Sequence, residues 1–186
     1  MEADWEFEIG GGAPVIEAWW SGFIDLRRSP ASIVDLSEAM ELPALGDVLI
    51  RLNTASSPVW TSKCGVWAND GGELFDADEF DAPPGGAAHI RGCYIDLLSR
   101  DERRWLTTDA IAETCKSWIA GLHDLPMRSC RADLIIRQAF TPPERMHLGV
   151  TAYLTGSGST EGEALAALEA ALTPFADVLC AQSKLQ

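Results

Sequence analysis

Positive charge is what this chain has least of. Lysine and arginine together number 14 against 28 aspartates and glutamates, which leaves a formal charge of −14. A surface of that sign repels phosphate backbones and anionic lipid at long range, so neither nucleic acid nor a membrane is expected as a partner. Histidine is also scarce. His89, His123 and His147 are the three present, and neither HxH nor HExxH spacing marks a metal site. The five cysteines (Cys64, Cys93, Cys115, Cys130, Cys180) are odd in number and include no CxxC pair. That pattern speaks against a disulfide framework and a zinc knuckle, and for reduced, buried thiols. No apolar run approaches the roughly 20 residues that span a bilayer. The opening MEADWEFEIG is acidic where a secretory signal is basic and then apolar. These absences predict a soluble cytoplasmic protein without metal or cofactor, and they leave the oligomeric state open.

What the chain does have is material for a core. Its 186 residues are 47% hydrophobic and 23% charged, the composition of a globular protein. The length suits one domain, 1–186, which buries roughly 70% of the surface its unfolded chain exposes. The strongest interruption is the acidic segment 69–88, NDGGELFDADEFDAPPGGAA, which reads as a surface loop between two halves, 1–68 and 87–186. Each half places a helix before a polar-alternating strand, as a diverged duplication would, although no residue-level repeat accompanies it. DADEFD within the loop lacks the glycine and glutamate of a calcium-binding loop and reads as solvated.

Along the chain, WEFEI and PVIEAWWSGFIDLR carry aromatic and β-branched residues around a GGGAP turn, which predicts a hairpin. ASIVDLSEAM has helical spacing with Ser32 as N-cap, and Pro43 ends that helix or opens a second over ALGDVLIRLN. VWTSKCGVWAND reads as a strand, as does AAHIRGCYIDLL. A helix follows in TTDAIAETCKSWIAGLHDLP, then two strands, RADLIIRQAF and HLGVTAYLTG, joined by TPPERM. Thr160 and Glu163 form a capping box ahead of a helix over about 161–181, whose Leu165, Leu168, Leu172, Phe175 and Leu179 face the core. Strands and helices without strict alternation predict an α+β fold: a mostly antiparallel sheet of about six strands with helices on one face.

The chemistry-bearing residues give little purchase for catalysis. Strict alternation in VWTSKCGVWAND puts Trp60, Ser62, Cys64 and Val66 on one face and Thr61, Lys63, Gly65 and Trp67 on the other. Cys64 then packs inward, where burial raises a thiol's pKa and removes its nucleophilicity. A Cys64 or Cys93 nucleophile with a histidine base, as in a thiol hydrolase, has no local signature such as a nucleophile elbow. GSGST before the last helix is a cap, because Glu161 and Glu163 occupy the first turn where an anion would bind.

Tryptophan is the unusual component, with seven residues. Trp19 and Trp20 are consecutive, so in a strand they point to opposite faces and one leaves the helix-covered side. Trp19, Trp60 and Trp67 on an open sheet face, rimmed by Glu17, Lys63, His89 and Arg91 and joined by Arg131 and Arg137, would form an aromatic recognition surface. Three functions fit. One is a non-catalytic binding domain whose acidity suits a basic protein partner. The second is a small-molecule binder with a tryptophan-walled pocket, and the third is the cysteine hydrolase.

Overall fold

In the computed structural model, which describes residues 1–69, 89–101, 103–142 and 145–181, local sequence signals resolve into eleven elements. They are β1 (Glu2–Phe7), β2 (Val15–Glu17), a 3-10 turn (Pro30–Asp35), α1 (Ser37–Glu41), α2 (Pro43–Leu52), β3 (Val59–Asn69), β4 (His89–Ser99), α3 (Thr108–His123), β5 (Cys130–Thr141), β6 (Arg145–Gly158) and α4 (Glu161–Ala181). All six strands join one sheet in the order β1-β5-β6-β4-β3, with β2 also on β5. Pairing is antiparallel from β5 through β6 and β4 to β3. The fold is α+β with a mostly antiparallel sheet, as the element pattern implies. The acidic segment lies outside the described residues, apart from Asn69 at the end of β3.

The expected N-terminal hairpin does not form. β1 and β2 both run parallel to β5, against Arg131–Ile136 and Gln138–Phe140 in turn. The GGGAP stretch, with Gly10 and Gly12 at positive φ, makes an excursion that returns the chain to the same edge without reversing it. The helix expected over ASIVDLSEAM is also broken. A 3-10 turn ends at Asp35, α1 begins after Leu36, and Ser32 hydrogen-bonds Ser29 rather than capping a helix. Pro43 opens α2, where its missing N–H costs nothing.

The core lies between the sheet and its helices. β4 contributes Cys93, Ile95 and Leu97, β5 contributes Ala132, Leu134 and Ile136, and β6 contributes Val150, Ala152 and Leu154. Trp105 and Trp118 meet edge to face, centroids 5.8 Å apart, beneath α3. α4 is the one described helix long and apolar enough to cross a bilayer; here Leu168, Leu172, Phe175 and Leu179 are buried in the core. The helix sits unusually close to β6, because at Gly156 and Gly158 there is no side chain to hold it away. Phe175→Ala or Leu168→Ala should cost about 3 to 5 kcal/mol in urea unfolding, as large core truncations do. A cost near zero would mean that this face of α4 does not carry the packing.

Candidate functional site

The alternation along β3 breaks at one point, and that break builds the site. Thr61 pairs with Leu97 and Cys64 with Ile95, so Ser62 and Lys63 together oppose the single residue Asp96. This β-bulge shifts the side-chain period by one. Trp60 therefore shares the face away from the helices with Gly65 and Trp67, and Cys64 points to the helix side with Val66. The uninterrupted alternation expected from the sequence, which put Trp60 with Cys64, is corrected on this point.

Trp60 enters a second, smaller core on the far face, formed by Ile16, Ala18, Trp60, Leu98 and Ala139 with Phe23 packed against it. Gly149 makes room for this cluster, since a Cβ there would stand 2.8 Å from Ile16 Cδ1 and 3.0 Å from the Leu97 carbonyl oxygen. The chain after β2 is held across this end of the sheet. Ala18 N–H donates to the Phe140 carbonyl at 3.1 Å, and Ser62 Oγ donates to the Glu17 carbonyl at 2.6 Å.

Trp19 follows at φ 71°. A bulky residue there sets its Cβ against its own backbone at roughly 1 to 2 kcal/mol. The two tryptophans are thus not alternating strand residues. The left-handed turn leaves Trp19 42% exposed, and the rings of both Trp19 and Trp20 lie 5.0 Å from Phe23, centroid to centroid.

The chain then turns through Asp25–Arg28. Arg27 grips the Asp25 carboxylate with Nε at 2.8 Å and Nη2 at 3.0 Å, and its guanidinium lies 3.7 Å from the Trp60 ring centroid. Arg27 and Arg28 each stand 5.6 Å from the Trp19 ring centroid, within cation–π range. Burial pushes the Asp25 carboxyl up, but the Arg27 hydrogen bonds and charge more than reverse this and hold it below its ordinary value. Arg100 enters from the end of β4, donating to the carbonyls of Ser57 (2.9 Å), Thr54 (2.8 Å) and Asn53 (3.3 Å).

Trp19, Trp60, Asp25 and the three arginines line a cleft of about 350 Å³, closed on another side by Thr141 and His147, whose Oγ1 and Nε2 are 3.0 Å apart. Across Trp19 lies a more open hollow of about 600 Å³, bounded by Glu17, Trp20, Phe140 and Pro142. Both volumes lie in the range of ligand sites.

Of the residues singled out in the sequence, Trp19 and Trp60 come together here. Glu17 borders the hollow, and Lys63 sits 5.0 Å over the Trp20 ring. The others lie elsewhere. Trp67 covers Gly92 further along β3. His89 and Arg91 are at the opposite end of β4, and Arg91 pairs with Glu161 of α4 on the helix side. Arg131 pairs with Asp133. Arg137 joins Glu8, Thr151 and Tyr153, and Thr151 in turn donates to Asp96 at 2.6 Å. Sequence reasoning missed Asp25, Arg27, Arg28 and Arg100. The DLRR run was the available signal, since Asp and Arg two apart in a turn can close a local ion pair.

Cys64 is half-buried beside a separate hollow of about 290 Å³ lined by Leu36, Leu49 and Tyr94. Burial, with Glu38 and Asp96 adding to it, pushes its thiol up to about 12. Cys93, fully buried, is also pushed up to about 12. Among the described residues no three His, Cys, Asp or Glu side chains converge as metal ligands. The chain matches no protein-family model, and no curated protein or solved structure is significantly similar to it.

Proposed function

We propose that the protein is a non-catalytic binding domain whose recognition site is the cleft between Trp19 and Trp60. The observation that carries this reading is Trp19 itself: a large apolar residue held in a strained backbone conformation and left partly exposed, with two guanidiniums each 5.6 Å from its ring centroid. Strain of this kind persists where surrounding structure enforces it, and it gathers at ligand-contacting positions. Tryptophan and arginine are also the residues that most often dominate binding energy. The charge of −14 steers a basic protein toward the chain at long range. The cleft and the adjoining hollow are large enough to support a second reading, a small-molecule binder. Both candidate nucleophiles, Cys64 and Cys93, are held protonated, which weighs against the hydrolase.

Trp19→Gly separates a binding role from a packing role. Glycine adopts this φ freely, and the release of strain offsets the packing that a half-exposed ring supplies, so stability should change by no more than about 1 kcal/mol. Basic proteins retained by the immobilised wild type should be lost from the variant. A stability loss above about 3 kcal/mol, the scale of a core truncation, with retention unchanged, would overturn the proposal.

A further inference from the structure

We propose that the cleft binds a carboxylate carried on a flat apolar body, with the carboxylate between the unused guanidinium edges of Arg27, Arg28 and Arg100 and the body against Trp19. This deepens the reading of the cleft as a recognition site and rests on it.

The first support is the charge balance. Three guanidiniums face one carboxylate, Asp25, in a single concavity, within a chain where acids outnumber bases two to one. Arg27 and Arg100 are close enough that burial and then the Arg27 charge both push Arg100 down, with Asp25 only partly restoring it. An anion in the cleft relieves that repulsion.

The second support is that two of the three donors are fixed in advance. Arg27 is stacked on Trp60 and forked onto Asp25 through Nε and Nη2, so Nη1 is its remaining edge. Arg100 is anchored through Nε and Nη2 to carbonyls at the end of α2 and just beyond it, which likewise leaves Nη1. Arg28, its side chain 80% exposed, is only loosely engaged, with Nε 3.5 Å from Asp25. Preorganised guanidinium edges bind planar oxyanions at low entropic cost.

The guanidiniums make the ligand an anion, and their planar edges match a planar oxyanion such as a carboxylate. The exposed Trp19 ring supplies an apolar wall beside the guanidiniums, which selects a carboxylate attached to a flat apolar group. A small aromatic acid and the C-terminal carboxylate of a partner ending in an aromatic residue share that chemistry.

The test is calorimetric titration of the full chain with 2-naphthoate, 2-naphthamide, 2-naphthyl phosphate, and a tetrapeptide ending in phenylalanine as free acid or amide. Naphthoate should bind at least tenfold more tightly than naphthamide. Arg28→Gln should remove most of that difference and leave Tm unchanged, and Arg28→Lys should restore part of it. Tight binding of the free-acid peptide alone points to a protein terminus, and tight binding of naphthoate points to a small aromatic acid. The carboxylate assignment fails if acid and amide bind equally or if naphthyl phosphate binds best. If the neutral probes still bind and Trp19→Gly abolishes that binding, the cleft remains a recognition site and only its ligand chemistry is overturned. If no probe binds and Trp19→Gly also leaves protein retention unchanged, both readings fall.

Discussion

Valine in place of Gly156 is expected to leave little folded protein. Gly156 lies on β6 between Arg91 of β4 and Cys130 of β5, so its backbone cannot shift without breaking both ladders. A Cβ at this position would overlap the Ala164 carbonyl oxygen and the Leu168 amide nitrogen, with Leu168 Cα 3.0 Å away. All three are main-chain atoms of α4, and no rotamer change moves them. The helix must lift off the sheet, withdrawing Leu168, Leu172, Phe175 and Leu179 from the core. Overpacking ordinarily costs about 1 to 3 kcal/mol, and displacement of a whole helix belongs at or beyond the top of that range. Gly162 is the control. A Cβ there meets nothing within 4 Å, and alanine in a helix is favoured over glycine, so Gly162→Ala should stabilise by about 0.5 to 1 kcal/mol. Urea unfolding of both variants measures the pair. A loss under about 1 kcal/mol for Gly156→Val, below the ordinary cost of overpacking, would show that α4 does not approach β6 this closely.

Above pH 9 the protein should lose stability steeply. Burial pushes the Cys93 and Cys115 thiols from an ordinary 9.0 to about 12. A thiol whose folded pKa lies above its unfolded value holds its proton more tightly when folded. Its stabilisation is therefore complete below about pH 9 and is lost as pH rises toward 12. Between those limits each thiol lowers stability by about 1.4 kcal/mol per pH unit, so two together can consume most of a typical folding free energy within a few units. Equilibrium unfolding between pH 8 and 11 should show this slope, and Cys115→Ala should flatten it by one thiol's share whatever its effect at neutral pH. An unchanged slope in that variant would refute the burial of the thiol. The same physics makes Cys64 slow to alkylate with iodoacetamide at neutral pH. Rapid, selective modification there would revive the cysteine hydrolase.

What the sequence disclosed was local. The last helix was legible because its signals lie within one turn of each other: Thr160 Oγ1 accepts from the Glu163 amide at 3.2 Å. Glu163 reaches back to the Ser159 amide at 2.9 Å, one residue before the expected N-cap, a detail too fine for a pattern. Helical periodicity placed α2 and α3, and alternation placed β5 and β6, for the same reason. What stayed hidden depends on partners distant in sequence. The parallel docking of β1 on β5 joins residues nearly 130 positions apart, as the Glu8–Arg137 pair records with a separation of 129. The bulge in β3 is defined only against β4. The left-handed turn at Trp19 runs against every propensity, so no propensity could find it. The site was half legible for a related reason. Tryptophan counts pointed to Trp19 and Trp60, but the arginines that meet them come from a turn and from the end of another strand, and only the fold brings them together.

The bulge that turns Trp60 away from Cys64 also governs how this molecule behaves beside its own copies. β3 forms one edge of the sheet, and β1, followed by β2 along β5, forms the other. An outer strand with an uninterrupted row of free amides and carbonyls invites a second chain to extend the sheet, and that is how folded proteins seed aggregates. In β3 the row is out of step at Ser62 and Lys63, and a lysine stands at the fault. Along β1, Glu2, Asp4 and Glu6 line one side, so a second copy docking there would bring like charge against like. The irregularity that positions the cleft thus also makes the sheet a poor template, and the net charge of −14 sets further copies of the same chain against one another.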